Sequence, residues 1–130
     1  GKFILILDEG GEKRDMYYDG WQQRPMFTSA PEGHPAAAIM ILNDPVGQFD
    51  EIQRLVRAGY MVRTRADADT REARENDTRR RAAAFASGAQ AVSTDYYLPA
   101  THFGNEYQVS LPQPVRCNPI TAPANCQVSE

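Results

Sequence analysis

Four short apolar runs set the strongest limit on what this chain can fold into. They are FILIL at Phe3 to Leu7, AAAIMIL at Ala36 to Leu42, Tyr60 to Val62 continuing into RTRA, and Ala89 to Thr94. Their largely continuous apolar character is typical of strands in a parallel sheet that helices cover on both faces. With 130 residues, the chain is at most one ordinary domain. We therefore expect one structural unit over 1–130, with a β/α core at 1–97 and an extended tail at 98–130.

Helical patterns separate the later strands. Residues Phe49 to Ala58 carry an apolar face, with Asp50 as the expected N-cap. Residues Asp69 to Ser87 are rich in helix formers, place Asp69 and Glu72 at capping-box spacing, and contain an expected break near Asn76. The alternation of strands and helices predicts an α/β fold.

The segment between the first two strands is less regular. Lys13 to Asp19 predicts a turn or two of helix, and Trp21 to Pro35 has the proline and glycine density of a long loop.

Charge and motifs exclude several classes of protein. Fourteen basic against seventeen acidic residues give a net charge of −3, which does not indicate a nucleic-acid binder. No apolar run approaches the roughly 18 residues of a membrane-spanning helix. The glycines of DEGGE form neither a dinucleotide-binding fingerprint nor a P-loop, and no HxH or HExxH pattern occurs. The residues indicate no catalytic histidine.

Acidic residues follow all four predicted strands. They are Asp8, Asp44 (preceded by Asn43), Asp67 and Asp95. In a parallel sheet the carboxyl ends of the strands share one edge, where ligands bind. The four carboxylates are therefore expected around one mouth. Asp is also common as a helix cap or turn former after a strand, and that interpretation stays open for each residue.

The third strand adds two arginines to this edge. Arg63, Arg65 and Asp67 are spaced two residues apart, so they project from one face of an extended strand. The guanidinium fork matches the oxygens of a phosphate, which makes Arg63 and Arg65 candidate phosphate ligands. A structural network of arginine and aspartate that braces neighbouring strands is the alternative. Tyr96, just past the last strand, either stacks on a sugar or cyclitol ring or packs at the edge of the core.

Two cysteines lie in the tail. Cys117 and Cys126 enclose the turn-rich segment NPITAPAN and lack the CxxC spacing of redox or zinc sites. They form either a disulfide, which would place the protein outside the cytoplasm, or two free thiols.

The longest informative stretch resembles a known family. GYMVRTRADADTREARENDTRRRAAAFASGAQAVSTDYY, with NDP after the second strand and VRCNPITAPANC in the tail, is similar to the calcium-dependent phosphoinositide phospholipases C. STDYYLP more distantly resembles the last strand of glycerophosphodiester phosphodiesterases. Both resemblances imply a (β/α)8 barrel that cleaves a phosphodiester.

By this resemblance the chain supplies the last four parallel strands of such a barrel, the intervening helices and an irregular tail. A whole barrel takes roughly 200 residues or more. We therefore expect the chain to be the C-terminal half of a secreted enzyme, inactive without the N-terminal half that holds the catalytic histidines and most calcium ligands. In this half, Arg63 and Arg65 would contact phosphate. Inositol hydroxyls or a shared calcium would be contacted by the four carboxylates, Asp8, Asp44, Asp67 and Asp95. Tyr96 would contact the inositol ring.

Three functions follow as hypotheses. The first is part of a phosphoric diester hydrolase that acts on phosphoinositides with calcium, in transient contact with a membrane surface. The second is a non-catalytic ligand-binding α/β module that kept the mouth of the barrel. The third is a glycerophosphodiester phosphodiesterase, which would use soluble substrates and water as the attacking group.

Overall fold

The computed structural model describes residues 2–113 and 115–128. Over these residues the chain forms five short strands and four α-helices. In order they are β1 (Ile6–Leu7), α1 (Gly11–Tyr18), β2 (Phe27–Thr28), β3 (Ile39–Ile41), α2 (Phe49–Arg57), β4 (Met61–Arg65), α3 (Arg71–Glu75), α4 (Arg79–Ala86) and β5 (Ala91–Ser93). Single 3-10 turns lie at Trp21–Gln23 and Thr101–Phe103. None of the described helices has the length and apolar character needed to cross a membrane.

All strand pairs are parallel, as expected for an α/β fold. β1 pairs with β2, and β3, β4 and β5 form a second sheet in that order. An isolated parallel bridge between Thr28 and Ala37 lies between the two sheets. The strands therefore follow one another in chain order, in two open sheets of two and three strands.

The structure corrects the prediction for the first 35 residues. β2 lies inside the segment predicted as a long loop, so the described chain has five strands, where the sequence predicted four. A two-residue strand held by its neighbour leaves too short a pattern to read from the sequence. The first predicted strand is also shorter than expected, because Phe3, Ile4 and Leu5 precede β1 and are 84%, 58% and 45% exposed.

The core lies between the larger sheet and its helices. Its first cluster joins α2 to β3 and β4 through Met40, Leu42, Ile52, Leu55, Val56, Val62 and Ala89. The predicted helix at Phe49 to Ala58 is thus confirmed, with its apolar face on the sheet. Its N-cap is Gln48. Asp50 lies in the first turn, where its negative charge interacts favourably with the positive end of the helix dipole.

The second long helical segment is broken as predicted. Asn76 adopts the left-handed conformation (φ +50°) between α3 and α4, a conformation that asparagine tolerates better than most residues. The expected capping box is wrong: Thr70 is the N-cap, and Glu72 Oε2 accepts the N–H of Ala68 at 2.9 Å. Asp69 has a left-handed backbone (φ +53°), which does not suit a cap.

The tail packs back on the core although it is mostly irregular. Tyr107 and Val109 are buried with Ala66, Ala73, Tyr96 and Ala100 in a second cluster. Cys117 and Cys126 form a disulfide, which closes the small loop expected from the sequence. Ile120 lies against Gly88, where a Cβ atom would come within 2.4 Å of Ile120 Cγ1. Gly88 is therefore required both by this contact and by its left-handed backbone.

Candidate functional site

The carboxyl edge of the sheets carries a cluster of charged and polar side chains, here called the rim cluster. Its members are Asp8, Asn43, Asp44, Arg63 and Arg80. Arg63 Nη1 donates to Asn43 Oδ1 at 2.8 Å and lies 3.7 Å from Asp8 Oδ2. Arg80 donates to the main-chain oxygen of Asn43, and its Nη1 lies 3.8 Å from Asp44 Oδ1. The structure thus brings three predicted site residues, Asp8, Asp44 and Arg63, to one edge.

Arg65 projects from the same face of β4 as Arg63. Between them Thr64 is fully buried, as is Val62, so the alternation expected from the sequence holds along β4. Arg65 is half-buried, and across residues 2–113 and 115–128 it forms no ion pair and no side-chain hydrogen bond. Its five N–H donors are therefore not matched by an acceptor of the described chain.

Asp67 lies in a different environment from the one expected. Its carboxylate is 2% exposed, accepts the hydroxyl of Thr94, and accepts the N–H of Asp95 at 3.1 Å. β4 ends at Arg65, so the strand alternation does not extend to Asp67, which points inward. We call Asp67, Thr94 and the Asp95 N–H the clamp, because they tie the carboxyl ends of β4 and β5 together.

The two residues after the clamp also differ from each other. Asp95 is exposed, whereas Tyr96 is 8% exposed and packs edge-on against Tyr107, with ring centroids 5.5 Å apart. The Tyr96 hydroxyl donates to the Asp69 carbonyl at 3.3 Å. Burial, with a smaller contribution from the Asp67 charge, raises the pKa of Tyr96. Its ring is part of the core, so the structure does not present it for stacking on a ligand.

A cavity of about 430 Å³ opens beside Asp8. It lies between the first sheet and β3, and its polar lining includes Glu9, Arg14 and Ser29. A second cavity of about 460 Å³ lies between α4, β5 and the tail, and its lining contains none of the rim cluster. The polar cavity is therefore the one that adjoins the rim cluster.

Arg80 is the functional candidate that sequence reasoning missed. The run Arg79 to Arg81 is interpreted most simply as a solvated helix face, which is correct for Arg79: it is 84% exposed and pairs with Asp77 at 2.6 Å. This hydrogen bond lowers the pKa of Asp77 to about 2. Arg80 is 20% exposed, and its guanidinium lies against Asn43 and Asp44 in the rim cluster. Ala84, four residues further along the same helix face, is fully buried, but in the sequence it looks like its neighbours Ala82 and Ala83, so the sequence alone does not single out Arg80.

The acidic residues of the site do not fit a calcium centre. Calcium takes six to eight oxygen ligands. Here Asp8 and Asp44 face guanidinium groups, and both oxygens of Asp67 accept hydrogen bonds. Over the described residues, no group of three or more His, Cys, Asp or Glu side chains is placed to hold a metal ion.

Comparison with known proteins identifies one family. A family model described as "Phosphoinositide phospholipase C, Ca2+-dependent" matches residues 1–119 of the chain. Neither a curated protein nor a solved structure gives a significant match. The match covers every strand and helix described above and confirms the resemblance found in the sequence.

Proposed function

Because the chain belongs to the Ca²⁺-dependent phosphoinositide phospholipase C family, we propose that its rim binds the phosphate of a phosphodiester in a phosphoric diester hydrolase. The observation that carries this proposal is Arg65. It shares a strand face with Arg63, at the edge where parallel strands end, and has no anionic partner in the described chain. An unpaired guanidinium at the carboxyl edge of a parallel sheet favours an anionic ligand.

The two arginines suit the chemistry of phosphoryl transfer. When a hydroxyl attacks phosphorus, negative charge develops on the non-bridging oxygens, and pre-oriented donors stabilise it. Arg63 is held in place by Asn43 before any ligand binds, which lowers the entropy lost on binding. Both arginines therefore serve to bind and orient phosphate, and we assign no acid, base or nucleophile to this chain.

We further propose that the strands form part of a (β/α)8 barrel completed by other residues of the same protein. Parallel strands in chain order, with helices between β3, β4 and β5, support this arrangement. The exposed apolar residues before β1 support it as well, since a further layer would cover them.

Calcium enters the proposal through the family description alone. The oxygens of Asp8 and Asp44 compensate arginines, so we give this part of the protein the contact to phosphate and derive no step through the metal.

An extracytoplasmic location and brief contact with a lipid surface are part of the same proposal. The disulfide between Cys117 and Cys126 supports the location, because such bonds persist in oxidising compartments. A phosphoinositide headgroup lies at a membrane surface, so the rim would meet its substrate there.

The test uses the full 130-residue chain and two variants. We expect Arg65→Ala to weaken binding of inositol 1-phosphate, measured by calorimetry, by about tenfold or more, since a charge-assisted hydrogen bond is lost. Arg57→Ala is the matched control, because Arg57 is exposed and bonds to Gln53 on α2. An affinity of Arg65→Ala within twofold of the parent would contradict the proposal.

Hydrolysis assays separate the candidate functions. The whole protein, with the residues that complete the proposed barrel, is incubated with phosphatidylinositol vesicles and with glycerophosphoinositol, each with and without Ca²⁺. Cleavage of the vesicle lipid that is reduced in Arg65→Ala supports the phospholipase. Binding without cleavage favours the non-catalytic module, and cleavage restricted to the soluble diester favours the glycerophosphodiesterase.

A further inference from the structure

We infer that Arg80, on α4, is a third anion-binding side chain at this edge, and that the Asp44 carboxylate compensates its charge until a phosphate displaces it. This inference deepens the proposed function and rests on it. It assigns a role to a residue of the helix, in addition to the two arginines of β4.

Asn43 is the point at which two guanidinium groups meet. Arg63 donates to its side-chain oxygen at 2.8 Å, and Arg80 donates to its main-chain oxygen. The two arginines come from different elements, β4 and α4, and approach the same residue. A ligand that reaches Arg63 therefore arrives beside Arg80 as well.

The carboxylates near these arginines balance charge without saturating the donors. Arg80 Nη1 lies 3.8 Å from Asp44 Oδ1, and Arg63 Nη1 lies 3.7 Å from Asp8 Oδ2. Both distances are too long for hydrogen bonds. The Asp44 and Asp8 side chains are 55% and 63% exposed, so water competes for them. Arg80 Nε is buried and has no acceptor in the described chain.

Asp44 is held near Arg80 by its own loop. Its Oδ1 accepts the N–H of Val46 at 3.3 Å, and its Oδ2 packs on Gly47. A Cβ atom at Gly47 would lie 2.4 Å from that oxygen. Gly47 is not among the residues with positive φ, so alanine suits its backbone and would push the carboxylate away. The Asp44 carboxylate can thus be removed from Arg80 in two independent ways. Asp44→Asn removes its charge, and Gly47→Ala displaces it.

The ligand class follows from the donors. A phosphate mono- or diester presents several oxygens around one tetrahedral centre, and two guanidinium groups from different directions match it better than one planar carboxylate does. The phosphate would take the donors that Asp44 and Asp8 leave open, and the carboxylates would turn to water.

The experiment measures binding of inorganic phosphate and of inositol 1-phosphate to the full chain by calorimetry. We expect Asp44→Asn and Gly47→Ala each to tighten binding by about two- to fivefold. Phosphate then no longer competes with the Asp44 carboxylate for Arg80, and an exposed ion pair of this kind has an energy of that order. Asparagine keeps the acceptor for Val46, so the loop is preserved. We expect Arg80→Ala to weaken binding by about fivefold or more. Arg79→Ala, its exposed neighbour, should stay within twofold.

The double variant Asp44→Asn/Arg80→Ala separates a direct contact from a general change in charge. If Asp44 acts through Arg80, the gain from Asp44→Asn disappears once Arg80 is removed. The same gain in both backgrounds would overturn the inference, and so would no gain in Asp44→Asn and Gly47→Ala. If Arg80→Ala does not fold in a urea titration, those two single variants still decide.

The outcomes also distinguish this inference from the proposed function. Loss of affinity in Arg65→Ala with no change in Arg80→Ala leaves the phosphate site of β4 and refutes the role of Arg80. The opposite pattern leaves an anion site at Arg80 and refutes the proposed role of Arg65.

Discussion

The rim cluster and the clamp start from the same sequence feature, an aspartate after a parallel strand, and differ in what surrounds the carboxylate. Asp8 and Asp44 are mostly exposed and lie 3.7 and 3.8 Å from arginines. Asp67 is 2% exposed, and hydrogen bonds from Thr94 and Asp95 occupy its oxygens. A carboxylate with its hydrogen bonds satisfied stabilises the fold, whereas a loosely paired one can exchange partners.

This difference assigns the two regions to different tasks. The clamp fixes the carboxyl ends of β4 and β5, and with them the strand that carries Arg63 and Arg65. The rim cluster keeps donors available at that fixed edge.

Removal of the buried carboxylate should have the largest effect. Asp67→Ala leaves the Thr94 hydroxyl and the Asp95 N–H without their acceptor in a partly buried environment. We expect the free energy of unfolding to fall by about 2–4 kcal/mol, measured by urea denaturation. Asp95→Ala is the control, because its exposed side chain can be removed while its N–H remains. Equal losses in the two variants would show that the buried Asp67 carboxylate stabilises the fold no more than the exposed Asp95 side chain does.

High pH should weaken the clamp side of the molecule. Burial, with the nearby Asp67 charge, raises the pKa of Tyr107 to about 12 from 10.0. A raised pKa means that the folded state favours the neutral phenol. The resulting stability is complete below pH 10 and is lost as the pH rises through about 12.

Urea titrations between pH 9 and pH 12 test this dependence. Tyr107→Phe should lose less stability over this range than the parent chain, because it has no phenol to ionise there. Tyr97→Phe should behave as the parent, since Tyr97 is 70% exposed. Parallel curves for the parent and Tyr107→Phe would show that another group dominates.

Removal of a rim carboxylate should have the smallest effect on stability. Asp8→Asn loses an exposed pair with Arg63, and we expect the free energy of unfolding to change by less than about 0.5 kcal/mol. A loss comparable with that of Asp67→Ala would mean that the rim is a structural network like the clamp.

The sequence predicted the regular half of the fold well. α2 has three apolar residues on one face, and the break at Asn76 has a residue that tolerates a left-handed backbone. These features are local, so a single sequence reveals them. β2 depends on pairing with β1 and has two residues, so its pattern was too short to detect.

The site was predicted in part, because side-chain direction depends on where a strand ends. The alternation of side chains along a strand correctly predicts that Arg63 and Arg65 share one face of β4. The strand ends at Arg65, so the same alternation wrongly predicts that Asp67 lies on that face. Tyr96 is buried because the tail folds back and packs Tyr107 against it. The two residues are not neighbours in the sequence, so the sequence alone does not reveal this contact. Arg80 was missed because three consecutive arginines resemble a solvated face, although neighbouring positions on a helix point in different directions.

The proposed function depends on phosphate binding by Arg63 and Arg65 of β4. The most direct test is an NMR titration that follows the arginine Nε–Hε signals while inositol 1-phosphate is added to the full chain. We expect the signals of Arg63 and Arg65 to shift in a saturable way, while that of Arg57, which bonds to Gln53 on α2, stays unchanged. Unchanged signals for Arg63 and Arg65, or equal shifts for all arginines, would contradict a phosphate site on β4.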